Sequence, residues 1–214
     1  EGKTVLVTSA AGSIGSEIAR QLSFYGLKNL VLIDHAESPL YDIEQDLKES
    51  HRTKNTINPI CEVANVKDRY RMDTIFDTYK PNIVYHAAAY KHVPIIEKSP
   101  YEGIFVNVFG TRIVADTALR YGAERFVMVS TDKAVNPTNV MGATKRVAEL
   151  YTQSLNEHGK TKFIATRFGN VLGSNGSVVP LFRKQIEAGG PVTVTHEDIT
   201  RYFMTIPEAC NLVL

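Results

Sequence analysis

Strand signals and helix signals alternate along this chain of 214 residues, and the alternation restricts the fold more than any single motif does. Six short runs are rich in β-branched and other apolar residues, and longer stretches with apolar residues at helical spacing separate them. The predicted strands are Thr4–Thr8, Leu30–Ile33, Ile57–Val63, Ile83–Ala87, Phe126–Ser130 and Phe163–Arg167. Strands joined through helices form right-handed crossovers in a parallel sheet covered on both faces. We therefore predict an α/β fold with a doubly wound parallel sheet.

The intervening stretches predict helices, and the C-terminal part adds a loop and a short strand. The predicted helices are Ile14–Tyr25, Leu40–Lys48, Arg69–Tyr79, Tyr101–Tyr121, Ala143–His158 and Val179–Ala188. A Gly/Ser loop is predicted at Gly173–Ser177 and a strand at Val192–Thr195. The last residues follow a helical pattern opened by Pro207, so we expect the natural protein to be longer than this chain.

Charge and cysteine content exclude several classes of partner. Lys and Arg number 24 against 23 Asp and Glu, a net charge of +1, so nucleic acid and membrane surfaces are not expected partners. The two cysteines, Cys61 and Cys210, are far apart and indicate a reducing compartment rather than a disulfide framework. No apolar run approaches the roughly 18 residues needed to span a bilayer, and Glu1-Gly2-Lys3 is not a signal peptide.

A glycine-containing turn, Thr8-Ser9-Ala10-Ala11-Gly12-Ser13-Ile14-Gly15, joins the first predicted strand to the first helix. Gly12 allows the main chain to approach a pyrophosphate, and Gly15 allows close helix–strand packing. The phosphates would lie on free N–H groups at the helix N-terminus. Ser9 stands where the pattern usually has glycine, and serine adopts positive φ at greater cost. A turn that binds no ligand is the alternative.

Asp34 ends the second predicted strand, about twenty residues further on, as in dinucleotide-binding folds. A carboxylate there accepts hydrogen bonds from the ribose hydroxyls and repels a 2′-phosphate. The pattern therefore favours NAD over NADP, unless Asp34 merely caps the strand end.

Small residues and a mid-helix amide mark two further positions. Ala87, Ala88 and Ala89 follow the fourth predicted strand and would let the main chain pass beneath a nucleotide, although a tight turn explains them equally well. Asn107 lies within a long predicted helix. It is either a solvated surface residue or one that holds an active-site water or a backbone kink.

A hydroxyl, a carboxylate and an amine stand side by side in Thr131, Asp132 and Lys133, directly after the fifth predicted strand. Open α/β sheets place reacting groups at the carboxyl ends of their strands. Met141 and Lys145 are four residues apart and share one helical face. From spacing alone, Asp132 as a turn residue, Lys133 as a solvated side chain and Met141 as core remain open.

Motifs spanning nearly the whole chain resemble the CapD-type polysaccharide-biosynthesis family of nucleotide-sugar 4,6-dehydratases, which are extended short-chain dehydrogenase/reductases. Besides the Gly12/Gly15 turn, the matching segments are Ala87–Pro94, Ser130–Pro137, Arg167–Ser174, Pro191–Thr195 and Asp198–Thr205. Where such enzymes read Tyr-x-x-x-Lys, this chain has Met141 and Lys145. Methionine there resembles the subgroup that dehydrates UDP-N-acetylglucosamine with C5 configuration retained, many of whose members carry an N-terminal membrane region.

The resemblance implies a reaction with tightly held NAD and a role for each catalytic residue. Lys133 would be the base at C5, provided that its environment lowers the pKa from the ordinary value of about 10.4. Asp132 would protonate the departing C6 hydroxyl and, because Met141 has no titratable proton, would also take the C4 hydroxyl proton. Thr131 would hold the C4 oxygen, and Lys145 the nicotinamide ribose.

The resemblance also implies binding residues. Predicted cofactor contacts are Ser9, Gly12, Ser13, Ile14, Gly15, Asp34, Asn65, Val66, Ala87, Ala88, Ala89, Asn107 and Lys145. Asn65 replaces an aspartate that commonly contacts the adenine. Predicted substrate contacts are Lys91, His92, Asn170, Val179 and Arg201. Of these, Asn170 and Arg201 would contact the UDP phosphates. Read without the resemblance, Arg201 is a surface salt-bridge partner. No metal site is predicted.

These inferences predict an NAD-binding Rossmann domain over residues 1–170 and the start of a nucleotide-sugar-binding region over 171–214. We expect a homo-oligomer that forms the cytoplasmic domain of a longer, membrane-anchored protein. Two alternatives stay open. One is a C5-inverting dehydratase or a nucleotide-sugar epimerase. The other is a non-catalytic dinucleotide sensor, which Met141 and Ser9 favour.

Overall fold

A computed structural model describes residues 2–54, 56–174, 176–194 and 196–214 of the chain. Its main sheet has six parallel strands in the order β3-β2-β1-β4-β5-β6. The strands are β1 (Thr4–Thr8), β2 (Asn29–Asp34), β3 (Ile60–Val63), β4 (Ile83–His86), β5 (Arg125–Thr131) and β6 (Lys162–Phe168). The order reverses between β1 and β4, which defines the switch point of a doubly wound sheet. The predicted fold class is confirmed.

Helices cover both faces of this sheet. They are α1 (Ser13–Leu22), α2 (Glu37–Lys54), α3 (Arg69–Tyr79), α4 (Val93–Lys98), α5 (Pro100–Ile104), α6 (Thr111–Arg120), α7 (Val140–Ser154), α8 (Val178–Glu187) and α9 (Ile206–Asn211). A π-helical segment, Phe105–Gly110, joins α5 to α6, and 3₁₀ turns occupy Asp132–Ala134 and Leu155–Glu157. None of the helices in the described part of the chain is both long and apolar enough to cross a lipid bilayer.

Local chemistry explains why α3 has the predicted bounds. The Asp68 side chain caps its first turn by accepting a hydrogen bond from the Arg71 N–H. At the other end Lys80 adopts a left-handed conformation with φ 44°, and Pro81 follows, which a helix interior does not tolerate. The sequence therefore marks both ends of α3, with Asp68 at its start and Pro81 just beyond its end.

The C-terminal part departs from prediction. The predicted strand Val192–Thr195 is wrong over residues 192–194, and Thr195 lies outside the described residues. The Thr193 N–H donates a hydrogen bond to the side-chain oxygen of Gln185 rather than to the main chain of a neighbouring strand. Instead, β7 (Asn170–Val171) pairs in parallel with β8 (Phe203–Met204). Two-residue strands are too short to show a periodic pattern.

The core has one layer on each face of the sheet because successive strand residues point to opposite sides. In β1, Leu6 packs into one buried cluster, and Val5 and Val7 pack into the other. Helix α9 closes the second cluster, where Cys210 lies against α1 with its Sγ 3.6 Å from the Ile14 carbonyl oxygen. The last described helix thus contributes to the core of the main sheet.

Candidate active site

A cavity of about 670 Å³ opens at the carboxyl ends of the strands, where the switch point lies. It brings together many of the residues predicted from the sequence. Those on its wall are Ile14, Ala87, Ala89, Lys91, His92, Thr131, Lys133, Met141, Lys145, Asn170 and Arg201. A smaller cavity shares Ala89 and Tyr90 with it and is lined by Ser9, Asp34, Asn65, Val66 and Ala88 among others. The two cavities therefore adjoin at Ala89 and Tyr90.

The turn after β1 brings the start of α1 close to the strand. Ser9 has φ 52°, the left-handed conformation that the missing glycine would adopt more cheaply. A Cβ atom on Gly15 would overlap the Ser9 carbonyl, so only glycine fits there without a backbone shift. Gly12 is the N-cap of α1. The turn therefore keeps the close approach of helix to strand that the glycine pattern predicts, despite Ser9.

Asp34 is buried and organises this turn. One carboxylate oxygen accepts a hydrogen bond from the Ala11 N–H, and the other accepts one from the Ala36 N–H, both at 3.0 Å. His35 Nδ1 lies 3.3 Å from the carboxylate. Since each carboxylate oxygen has two lone-pair sites, Asp34 retains capacity to accept hydroxyl hydrogen bonds in the smaller cavity.

A buried hydrogen-bonded chain fixes the loop after β4. Thr8 Oγ1 and His86 Nδ1 are 2.9 Å apart, and His86 Nε2 lies 2.9 Å from Thr111 Oγ1. Thr8 Oγ1 also accepts a hydrogen bond from the Ala88 N–H. Complete burial, with Lys145 nearby, lowers the pKa of His86 to about 3. A neutral imidazole therefore ties β1, β4 and α6 together beneath the alanine loop.

Asn107 is fully buried in the π-helical segment, which excludes the surface alternative. Its side chain accepts a hydrogen bond from the Tyr90 N–H and donates to the Tyr90 carbonyl oxygen. It also donates to Thr144 Oγ1 on α7. The amide thus connects the loop after β4 to the helix that carries Met141 and Lys145, and it lies behind the cavity wall rather than on it.

Thr131, Asp132 and Lys133 form one hydrogen-bonded cluster at the end of β5. Asp132 Oδ1 accepts hydrogen bonds from Thr131 Oγ1 at 2.9 Å and from Lys133 Nζ at 3.1 Å. Lys133 also donates to Asn170 Oδ1 at 3.2 Å. Partial burial raises the pKa of Asp132, but the hydrogen bonds from Thr131 and Lys133 outweigh burial and hold it below its usual value. Asp132 is therefore ionised near neutral pH.

Met141 and Lys145 lie on the same face of α7, as their spacing predicted, and both are buried. Lys145 Nζ donates to the Val129 carbonyl oxygen at 2.7 Å. Burial lowers the pKa of Lys145 to about 8, although Glu149 opposes the shift. The cavity wall thus has an unreactive thioether one helical turn away from an amine that titrates near neutral pH.

Several predicted residues lie off the cavity wall. Asp132 stands beside it, within reach of the wall residue Gly169. Val178 rather than Val179 faces the cavity, and Gly12, Ser13 and Gly15 form the turn behind it. Arg201 is on the wall, donates to the Thr200 carbonyl oxygen and has no carboxylate partner among the described residues. The salt bridge of the alternative interpretation is therefore not formed with any described residue.

Sequence reasoning missed a second layer behind Lys145. Glu149, one turn further along α7, is fully buried and binds Arg167 of β6 through two hydrogen bonds. A glutamate four residues after a buried lysine on the same helical face was the available signal.

The strand order and the turn after β1 define a doubly wound α/β fold with the N-terminus of α1 at the carboxyl edge of the sheet. Residues 5–214 match the family described as "Polysaccharide biosynthesis protein". The chain belongs to this family, which confirms the resemblance drawn from its motifs.

Relatives of known name are similar over the full chain. "Capsular polysaccharide biosynthesis protein CapD" of Staphylococcus aureus is 55% identical, with 99% of this chain and 35% of that protein covered. "UDP-N-acetylglucosamine 4,6-dehydratase (inverting)" of Campylobacter jejuni is 33% identical, with 100% and 63% covered. The X-ray structure of Pen from Bacillus thuringiensis has a TM-score of 0.91 and 30% identity, with 100% and 64% covered. The chain thus spans about a third of the CapD relative and less than two thirds of the other two.

Proposed function

We propose that the protein catalyses NAD-dependent 4,6-dehydration of UDP-N-acetylglucosamine with C5 configuration retained, for bacterial surface glycan biosynthesis. The observation that carries this proposal is the Asp132–Lys133 pair, 3.1 Å apart at the rim of the cavity that Met141 and Lys145 line. A relative named as a 4,6-dehydratase, with C5 inverted, supports the reaction class. Methionine at position 141, as in the retaining subgroup, supports retention.

The chain's own residues fit NAD. Gly15 lets the start of α1 approach the Ser9 carbonyl, where the pyrophosphate would lie at the N-terminus of α1. Asp34 has free acceptor capacity for the adenosine ribose and would repel a 2′-phosphate. Asn65 and Val66 line the smaller cavity and would hold the adenine. Ala87, Ala88 and Ala89 would pass beneath the nucleotide, and Lys145 would hold the nicotinamide ribose.

The order of proton transfers follows from the resting ionisation of Asp132. NAD, when bound, supplies a site that takes the C4 hydride and later returns it to C6. Asp132 is ionised, so it first accepts the C4 hydroxyl proton, through a water molecule, while Thr131 holds the C4 oxygen. The 4-ketone acidifies C5, and Lys133 removes the C5 proton as a neutral amine, becoming an ammonium. Asp132 then gives its proton to the C6 hydroxyl, which leaves as water.

Retention at C5 follows if one group removes and returns the proton. Lys133 exchanges its proton with solvent and then protonates C5 on the face from which the proton came, after the C6 methyl group has formed. The same assignment separates a dehydratase from an epimerase, because an epimerase transfers no proton at C5 and loses no water from C6. A sensor has no use for an acid and a base at this edge of the sheet.

Residues nearer the C-terminus would bind the nucleotide. Asn170 and Arg201 line the cavity on the side of β7 and β8. Arginine suits a diphosphate because its guanidinium donates two parallel hydrogen bonds. Lys91 and His92 add donors from the loop after β4, and Val179 would contribute apolar contact from α8. Residues 1–170 would thus hold NAD, and 171–214 would begin the nucleotide-sugar region.

Assembly and location are part of the same proposal. Tyr101, Phe105 and Phe109 expose an aromatic surface along α5 and the π-helical segment, which supports a homo-oligomer. Unpaired Cys61 and Cys210 are consistent with a cytoplasmic location. Sedimentation of the intact protein tests the first point.

The test is incubation of the intact protein with UDP-N-acetylglucosamine in deuterated water, followed by NMR of the product. We expect a C6 methyl group, a 4-keto sugar and deuterium at C5 with the original configuration. An inverted C5 would identify the inverting dehydratase, and an unchanged C6 hydroxymethyl group with altered C4 would identify an epimerase. Bound NAD without any turnover would favour the sensor.

Two variants test the assigned roles. Asp132→Asn and Lys133→Ala should each lower kcat by at least about 100-fold, as expected for loss of a general acid or base, while NAD binding persists. Lys160→Ala, at an exposed position after α7, is the matched control. Unchanged turnover in both variants would show that the roles are assigned wrongly.

A further inference from the structure

A buried carboxylate stands behind the lysine of the candidate active site. Glu149 follows Lys145 by four residues on α7, so the two side chains share one helical face. Glu149 is fully buried, and Lys145 is 4% exposed. A buried carboxylate without partners is strongly disfavoured, so the surroundings of Glu149 show what keeps it there.

Two arginines hold the Glu149 carboxylate in place. Arg167 of β6 donates from Nε to Oε1 at 2.8 Å and from Nη2 to Oε2 at 2.5 Å, a bidentate pair. Arg146 adds a donor 3.3 Å from Oε2. Burial raises the pKa of Glu149, but these hydrogen bonds outweigh it and hold the pKa below its usual value. Glu149 is therefore a fixed negative charge.

The other titratable groups around Lys145 in the described part of the chain supply no unpaired negative charge. His86 on β4 is neutral. Lys91 and Lys133 lie on the same cavity wall and carry no negative charge, and Asp132 is paired with Lys133. Glu149 is thus the carboxylate that opposes the desolvation of Lys145 among the described residues.

We propose that Glu149, held by its two hydrogen bonds from Arg167, is a positioning residue that keeps Lys145 protonated and fixes the position of α7 relative to β6. Its kinetic consequence rests on the proposed function, because a protonated Lys145 beside the nicotinamide ribose would favour the C4 alkoxide over the alcohol. Glu149 is not on the cavity wall, so it acts through Lys145 and through the contact of α7 with β6. Its removal should therefore change the pH dependence of the reaction as well as its rate.

The first measurement is independent of activity. Protein labelled with ¹³C at the lysine ε-carbons is titrated by NMR, and Lys145→Arg assigns the Lys145 signal. We expect the wild-type amine to titrate near pH 8. Glu149→Gln should lower that midpoint by about one pH unit or more, since an adjacent opposite charge has been removed. Glu157→Gln, an exposed position after α7, should leave it unchanged.

The second measurement is the pH profile of kcat with UDP-N-acetylglucosamine. Activity that requires protonated Lys145 falls as pH rises through its pKa, so the basic limb should move to lower pH in Glu149→Gln. Glu149→Asp retains the charge and should keep the limb nearer its wild-type position. A merely structural role would lower the rate equally at all pH values.

A second variant tests the proposal if Glu149→Gln does not fold. Glu149→Met with Arg167→Met replaces the ion pair by apolar side chains of similar length, a change that is often tolerated. It should lower the Lys145 midpoint as Glu149→Gln does. An unchanged midpoint in either variant overturns the proposal, whatever the turnover. A lowered midpoint in a protein that never dehydrates the sugar supports the electrostatic role and refutes the proposed function instead.

Discussion

The Lys133 Nζ atom lies 3.2 Å from the side-chain oxygen of Asn170, across the gap between the end of β5 and the start of β7. This hydrogen bond joins the predicted acid–base cluster to the first residue of the segment that carries the predicted phosphate contacts. The position of the Lys133 amine therefore depends on both strands.

We expect Asn170→Ala to lower kcat/KM by about tenfold, because it removes one of the two hydrogen bonds that orient the Lys133 amine. Initial rates over a range of UDP-sugar concentrations measure the effect. Asn211→Ala, at an exposed position at the end of α9, is the control. Wild-type kcat/KM in Asn170→Ala would show that this contact has no part in turnover.

Ser9→Gly should stabilise the protein. Ser9 adopts φ 52°, and a left-handed conformation costs a residue with a side chain about 1 kcal/mol. Urea unfolding should show a gain of this size. Ser9→Ala retains the Cβ atom and should show none. Equal stability of all three proteins would mean that the turn is not strained at this position.

Asp34→Asn should weaken the preference for NAD over NADP. The amide cannot repel a 2′-phosphate by charge, and it has one acceptor oxygen for the N–H groups of Ala11 and Ala36. We expect NAD affinity to fall and the ratio of the two dissociation constants to move towards one. Isothermal titration with each dinucleotide measures this, with exposed Asp42→Asn as the control. An unaltered ratio would remove Asp34 from cofactor selection.

His86 should make stability fall in mild acid. Its pKa is about 3 in the folded protein and about 6.5 when unfolded, so the unfolded state binds the proton first. The stabilisation from neutral His86 is complete above pH 6.5 and is lost as pH falls towards 3. The free energy of unfolding should fall by about 2 kcal/mol between pH 7 and pH 5. Urea titrations between pH 7 and 5 should show this slope reduced in His86→Gln but not in His158→Gln. Parallel slopes would contradict a neutral buried His86.

Regular, well-bounded elements were predictable, and contacts between distant segments were not. Arg69–Tyr79 was predicted correctly because Asp68 and Pro81 mark its ends. Lys145 and Met141 share a face because helical spacing requires it. In contrast, the hydrogen bonds of His86 depend on partners 78 and 25 residues away, and no local pattern encodes them.

The π-helical segment shows a similar limit. Asn107 was placed correctly in a helix, but its neighbours do not reveal that its amide reaches Tyr90 and Thr144. The β7–β8 pair and the hydrogen bond from Thr193 to Gln185 also arise from tertiary packing. Propensity and periodicity depend on neighbours along the chain. They therefore locate the strand ends where the candidate catalytic residues lie, but they do not show the buried hydrogen bonds that hold those residues in place.

The return of α9 to the main sheet has a mechanical consequence. Because Cys210 anchors this helix against α1 and β7 begins directly after β6, the described residues between 172 and 205 belong to a segment held at both ends. A segment held at both ends has less conformational freedom than one held at a single end. The residues that it places on the cavity wall, Val178 and Arg201 among them, are therefore positioned from both sides.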